Sequence, residues 1–264
     1  MSNFMVNLFR RDKNLTVNQL IVKKTITSFF FLFLFFAGCI VAWKWLHRQP
    51  FDGTAGGGIR QPLRNSLNAN EVIFSKIFSE NHLSKTYPVS EAVKNVRFNG
   101  DLGLDLKNKF DTATWRLHVI KKNGDTLTLT LDEIKKLPRT EVCFNFKCIE
   151  GWNQITWWAG VKMSDFIKAY GLDQEASMKY VGLSTPNGEY YVGIDMASAL
   201  HPQTILCYEL NGQPLPIKEG FPLRLIIPVK YGIKHLKLIG TMYFDNNRPK
   251  DYWYERGYDY YAGL

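Results

Sequence analysis

Cysteine and histidine are scarce in this chain, with four of the first and five of the second among 264 residues. Cys39, Cys143, Cys148 and Cys207 are too few to staple a chain of this size, which excludes a disulfide scaffold. No Cys-x-x-Cys-His run occurs, so covalent haem attachment is excluded, and no cysteine spacing of the iron–sulfur kind is present. Cys143 and Cys148 stand five apart and would face opposite sides of one strand, which disfavours a shared zinc site. His47, His82, His118, His201 and His235 are scattered. No Ser-His-Asp arrangement or carboxylate pair stands out, and there is no internal repeat.

An excess of basic charge is also missing where a nucleic-acid binder would need it. The formal net charge is +9, but nine Lys/Arg against Asp12 and Asp52 give residues 1–64 a charge of +7. The remaining 200 residues carry only +2, so a phosphate-tracking face is not required. Between Lys24 and Lys44 charge is absent altogether: TITSFFFLFLFFAGCIVAW runs nineteen residues, long enough to cross a bilayer core. Trp43 and Trp45 suit the membrane–water interface. A transmembrane anchor over 25–46 is the expectation. A removable signal peptide competes with it but lacks a clean small-x-small cleavage site. Phe36-Ala-Gly-Cys39 faintly resembles a lipoprotein box that would acylate Cys39, but the apolar run continues to Trp43. Arg10-Arg11 reads as topogenic charge, with part of a twin-arginine export signal as the other option.

The rest is organised around these absences. Residues 1–24 form a basic N-terminal segment. Pro50, Gly53, Gly56-Gly57-Gly58 and Pro62 mark 47–70 as a flexible linker without apolar periodicity. Apolar positions at helical spacing predict a short helix over 71–80, opening a domain over 71–264. Strands are expected at 114–120, 126–131, 141–147, 179–184, 189–194, 204–210, 223–228 and 235–244. Short helices are expected at 132–137, stopped by Pro138, and at 163–170, stopped by Gly171. This is an α+β domain in which strands predominate.

Two motifs carry chemistry. In Cys143-Phe-Asn-Phe-Lys-Cys148-Ile-Glu-Gly-Trp152, a thiol ends an alternating strand and a glycine turn follows, where a metal can approach the backbone closely. Thiolate sulfur suits soft metals and redox centres, although a lone cysteine is more often structural. The second motif is Asn211-Gly-Gln-Pro-Leu-Pro, followed by Pro222-Leu-Arg224-Leu-Ile-Ile-Pro228-Val-Lys-Tyr-Gly232-Ile-Lys-His235-Leu-Lys237. Together, in this order and spacing, the two resemble the sulfite oxidase superfamily of molybdopterin enzymes. The likeness is strongest to its bacterial periplasmic branch, which includes the catalytic subunit of protein-methionine-sulfoxide reductase.

The resemblance covers about 93–264 and implies a strand-rich molybdopterin-binding domain behind one N-terminal transmembrane helix. It implies Cys148 as the protein's ligand to a single molybdenum held by one molybdopterin. Arg224 would pair with the cofactor's phosphate through its planar donors. His235, Leu236 and Lys237 would cradle the same anion with backbone and a point charge. Thr185 would give a hydroxyl contact, and Asn99 a pterin contact. Two departures stand out: Glu219 lies where many relatives carry Asn or His, and Gly100-Asp-Leu-Gly103 replaces the expected acidic and aromatic contacts. Trp152, Trp157 and Trp158 would either wall the cleft or pack in the core, and Glu150 would relay protons or form a structural ion pair.

The implied activity is oxo transfer at molybdenum, reducing S-oxides such as methionine sulfoxide. Sulfite-type oxidation feeding a cytochrome is one alternative, and a non-catalytic anchored binding domain is another. With no electron-carrying motif of its own, the chain would need a membrane cytochrome b or quinol-linked partner. The resemblance puts the domain on the periplasmic side of a bacterial inner membrane, which gives Arg10-Arg11 more weight as an export signal.

Overall fold

The computed structural model describes residues 15–79, 81–104, 106 and 111–263. The basic stretch with Arg10 and Arg11 lies outside them. The chain divides into an N-terminal unit, which runs to Phe51 and includes Arg60–Pro62, and a larger unit formed by Asp52–Ile59 and Leu63–Leu264.

The N-terminal unit is dominated by helix α1, Val17–Arg48. Thr16 caps it by accepting from the Gln19 N–H, and the Gln19 side chain bonds back to the Thr16 N–H. At 1.5 Å per residue its 32 residues extend about 48 Å. It buries no side chain, and it is long and apolar enough to cross a membrane. The helix overruns the expected 25–46 span at both ends because helix-compatible residues continue on either side.

In the larger unit, the linker expected over 47–70 is corrected. Helix α2 runs Gln61–Ile77, longer than the helix expected over 71–80. Arg64, on its first turns, is almost fully buried. Its guanidinium donates to Asp52 Oδ2 at 2.6 Å, to the Tyr258 carbonyl at 2.9 Å and to the Tyr254 carbonyl. Gly and Pro in 50–62 therefore shape a folded turn, closed by the Asp52 N–H on the Ile59 carbonyl, where composition alone suggested a tether.

Two five-stranded sheets follow. The first is built from β1 (Leu117–Ile120), β2 (Thr126–Leu129), β5 (Tyr180–Ser184), β6 (Tyr191–Asp195) and β10 (Thr241–Asp245), in the order β2-β1-β10-β5-β6. Its one parallel pairing joins β1 to β10. The second contains β3 (Arg139–Lys147), β4 (Asn153–Lys162), β7 (Ile205–Leu210) and β8 (Gln213–Pro214) in order, with β9 (Arg224–Ile226) on β7. Short helices α3 (Leu131–Lys135), α4 (Met163–Ala169), α5 (Asp173–Ala176) and α6 (Met196–Ala199) fill the connections. The main core includes Leu117, Val119, Phe166, Leu183, Leu225 and Met242, and a smaller one lies around Phe144, Phe146 and Trp158.

Strand β4 was not legible in the sequence. Residues 156 and 158–161 are buried in succession, so no two-residue alternation survives. Conversely, of the strand expected over 235–244 only Thr241–Asp245 forms. The preceding stretch leaves extended geometry, with a 3-10 turn at Gly232–Lys234 and Leu238 at φ 53°.

Candidate active site

The site is organised by the β3–β4 hairpin. Nine residue pairs run from Arg139↔Val161 to Lys147↔Asn153, and the turn between them is Cys148–Trp152. The Cys148 N–H donates to the Trp152 carbonyl at 2.9 Å, and the Gly151 N–H donates to the Cys148 carbonyl at 3.1 Å. Gly151 takes φ 91°, a left-handed conformation that other residues adopt at a cost, which is why a glycine ends this motif. Burial pushes the Cys148 thiol up, while the backbone N–H groups of Glu150 and Ile149, with Arg97, favour thiolate.

Cys148 lines a cleft with Ile149, Glu150, Asn99, Gly100, Leu102, Tyr190, Gly232, Ile233, His235, Lys237, Trp253 and Tyr258. Five distant stretches of sequence converge there. The segment before Asn99 is laid along β4: the Val93 N–H donates to the Ile155 carbonyl, and the Arg97 N–H to Gln154 Oε1. Lys237 Nζ donates to the Gly100 carbonyl at 2.9 Å, tying the Asn99 loop to the stretch after Gly232. Burial, then the neighbouring Arg224, lowers the Lys237 ammonium to about 7. Tyr190 is held by its hydroxyl on the Ile233 carbonyl.

His235 is fully enclosed, edge-on to Phe146 at 4.9 Å between ring centroids. Its Nε2 faces the Lys230 carbonyl at 3.2 Å, so Nε2 carries the proton and Nδ1 is the acceptor. Nδ1 is buried without a partner. Burial, then Arg224, lowers the imidazolium to about 3, so the ring is neutral. The expected contribution of His235 to an anion cradle was through its backbone; its side chain offers an acceptor to a donor N–H.

Of the residues singled out in the sequence, Asn99, Cys148, His235 and Lys237 meet in this cleft, and Thr185, Arg224 and Leu236 do not line it. The Thr185 hydroxyl bonds within the β5–β6 turn, to Asn187 Oδ1 at 2.7 Å and to the Tyr190 backbone. It thereby positions Tyr190. Leu236 is buried in the core, and its carbonyl accepts the Leu225 N–H. Arg224 is 1% exposed, paired with Glu219 Oε2 at 2.9 Å and stacked over Trp158 at 4.5 Å. Glu219 turns inward. None of the three tryptophans lines the cleft: Trp158 is core, Trp157 donates to Glu141, and Trp152 lies under Arg97. Glu150 accepts from the Trp152 indole at 2.9 Å, in place of the ion pair expected for it. The aromatic wall is instead Tyr190, Trp253 and Tyr258. The aromatic-rich run Asp251-Tyr-Trp-Tyr-Glu-Arg-Gly-Tyr258 was the sequence signal for two of these rings.

A molybdopterin fits this lining: the buried His235 Nδ1 has no hydrogen-bond partner, and a pterin carries several N–H groups. Gly232 lies against the Phe146 ring, which a Cβ there would approach to 2.6 Å, so glycine is what lets this stretch pack on β3 beneath the cleft. Among the described residues no group of three His, Cys, Asp or Glu side chains is placed to hold a metal ion.

Comparison with known proteins gives the chain's relatives. The chain is 38% identical over 194 residues to a protein of Azospira oryzae named as protein-methionine-sulfoxide reductase subunit YedZ1, covering 74% of this chain and 73% of that one. It is 28% identical to the protein-methionine-sulfoxide reductase catalytic subunit MsrP of Campylobacter jejuni, over 75% and 77% of the two chains. Mouse mitochondrial sulfite oxidase is 32% identical over 56% of this chain, which spans about a third of that protein's length. Residues 104–253 match the family described as the oxidoreductase molybdopterin binding domain. The chain belongs to this molybdopterin-binding oxidoreductase family, with the sulfite oxidase type of fold.

Proposed function

We propose that the chain is a membrane-anchored molybdenum enzyme that reduces S-oxides, methionine sulfoxide among them, with Cys148 as the protein's ligand to the metal. When bound, the cofactor supplies a molybdenum centre that cycles between oxidation states IV and VI as an oxygen atom moves to or from the substrate. The protein's part is to bind, orient and exclude water. Cys148 is fixed at the turn by its own N–H bond, with neighbouring N–H groups tuning the sulfur. Asn99 and neutral His235 face the cleft as partners for the pterin, and Lys237 as a cation for its phosphate. Arg224 joins them only if its pair with Glu219 opens.

The observation that carries the direction of the reaction is the cleft's lining. Tyr190, Trp253 and Tyr258 stand with Cys148, no arginine lines the space among the described residues, and Glu150 adds an acid. A neutral thioether S-oxide fits aromatic walls through sulfur–aromatic contacts, whereas sulfite is a dianion that the acid repels. Lys237, the one cation in the lining among the described residues, is the feature that favours sulfite oxidation as the second reading. Purified full-length protein assayed with reduced viologen and methionine sulfoxide, and separately with sulfite and ferricyanide, distinguishes the two. Turnover with sulfite alone rejects the proposal. Molybdenum well below one per chain from a competent host supports the non-catalytic reading.

The apolar helix supports membrane anchoring. The same reading puts the domain on the periplasmic side of a bacterial inner membrane. There a membrane cytochrome b or quinol-linked subunit supplies electrons, because the chain carries no haem or iron–sulfur motif.

A further inference from the structure

Glu219 is the feature that the cofactor reading leaves unexplained. It ends the 3-10 turn Ile217–Glu219, and Gly220 follows in the left-handed region at φ 98°. A Cβ on Gly220 would lie 2.7–2.9 Å from Leu238 N, Lys237 Cα and Lys237 Cβ, so the turn is pressed directly on the Lys237 stretch. Glu219 is 2% exposed. Its Oε2 accepts from Arg224 Nη1 at 2.9 Å and lies 3.9 Å from Lys237 Nζ. One carboxylate thus sits between two cations that the family resemblance implies would hold a phosphate.

The pairing is incomplete. Glu219 Oε1 and Arg224 Nε are both buried without a hydrogen-bond partner. Burying a guanidinium with a donor unpaired is costly, and an anion with more acceptor oxygens would satisfy it better. The turn also has somewhere to go, because residues 216–218 are exposed and only Glu219 points in.

We propose that Glu219 is an internal counter-anion, holding Arg224 and Lys237 in the cofactor-free chain and giving way to the cofactor's phosphate on insertion. The inference rests on the reading that Arg224 and Lys237 take that phosphate. Insertion is then an ion exchange. The carboxylate leaves toward solvent, the phosphate takes its place on the two cations, and no covalent bond changes. Glu219 keeps a cationic pocket folded before the cofactor arrives and weakens the grip afterwards, because a second negative charge stays nearby.

The test is Glu219→Gln in the full chain, prepared in a host blocked in molybdopterin synthesis and in a competent host. Two quantities are read: the melting temperature of each form, and the rate at which loaded protein loses pterin, followed as its fluorescent oxidation product. The expected result is opposite signs. The cofactor-free variant melts lower than wild type because Arg224 loses its charge partner. The loaded variant melts no lower, and it releases pterin about tenfold more slowly because one like charge beside the phosphate is gone. A variant that melts lower in both forms and releases pterin at the wild-type rate or faster overturns the proposal, because Glu219 is then a fixed support for Arg224. Arg224→Lys and Lys237→Met separate the underlying reading. If both release pterin at the wild-type rate, the phosphate is held elsewhere, and the proposal falls with that reading.

Discussion

The Cys148 N–H and the Trp152 carbonyl meet at 2.9 Å, so the residue proposed as the metal ligand is the first residue of a hairpin turn. Its backbone position is fixed by the nine-pair β3–β4 ladder, whatever the side chain is. Cys148→Ser is therefore expected to keep the fold, at a cost of about 1 kcal/mol for a buried thiol-to-hydroxyl change, and to lose molybdenum–thiolate absorption. A melting curve and a visible spectrum on the same sample check this; an unchanged spectrum rules out Cys148 as the ligand.

Gly232 tests the close approach at the cleft. A Cβ at this position would meet the Phe146 ring at 2.6 Å, so Gly232→Ala is expected to destabilise by about 1–3 kcal/mol. It should also lower bound pterin per chain. The double variant Gly232→Ala/Phe146→Leu relieves the clash and should recover part of both losses, measured by urea denaturation and pterin content.

His235 gives a pH prediction with a definite sign. Its folded value of about 3 lies below the ordinary 6.5. Between these values the unfolded chain takes up a proton that the folded chain refuses, so stability rises with pH across this window and is lost as pH falls through it. Denaturation midpoints of the cofactor-free protein at pH 4.5 and 7 should differ less in His235→Gln than in wild type. An equal difference would mean that His235 is protonated in the fold.

Arg64 and Asp52 test the folded entry to the domain. The pair is buried at 2.6 Å, and hydrogen bonds from Arg64 and Thr54 outweigh desolvation to hold the Asp52 carboxyl below its usual value. Arg64→Met strands that carboxylate and is expected to cost about 3–5 kcal/mol. Because the folded carboxyl value is depressed, the stability this pair gives is present above the unfolded carboxylate value and lost as pH falls through the folded one. Thermal melts of both proteins at pH 7 and at about pH 2, below the ordinary carboxylate value of 3.8, should show the gap narrowing in acid. A free tether would show no gap at either pH.

The apolar helix, the strand leading to Cys148 with its glycine turn, and most other strands were legible in the sequence because each rests on a local signal: an uncharged run, a two-residue alternation or a glycine turn. Strand β4 was not, because successive residues buried on both of its faces erase the alternation. Resemblance placed Asn99, His235 and Lys237 beside Cys148, but only the folded chain shows that Thr185 and Leu236 support the cleft from behind. Tyr190, just before β6, and Trp253 and Tyr258, in the C-terminal segment, come from separate stretches, so no sequence window contains their wall. The inward turn of Glu219 is likewise a tertiary decision. A glutamate on a polar turn reads as solvated, and it is buried because Arg224 and Lys237, brought up from β9 and the stretch beyond it, supply the charge that makes its burial tolerable.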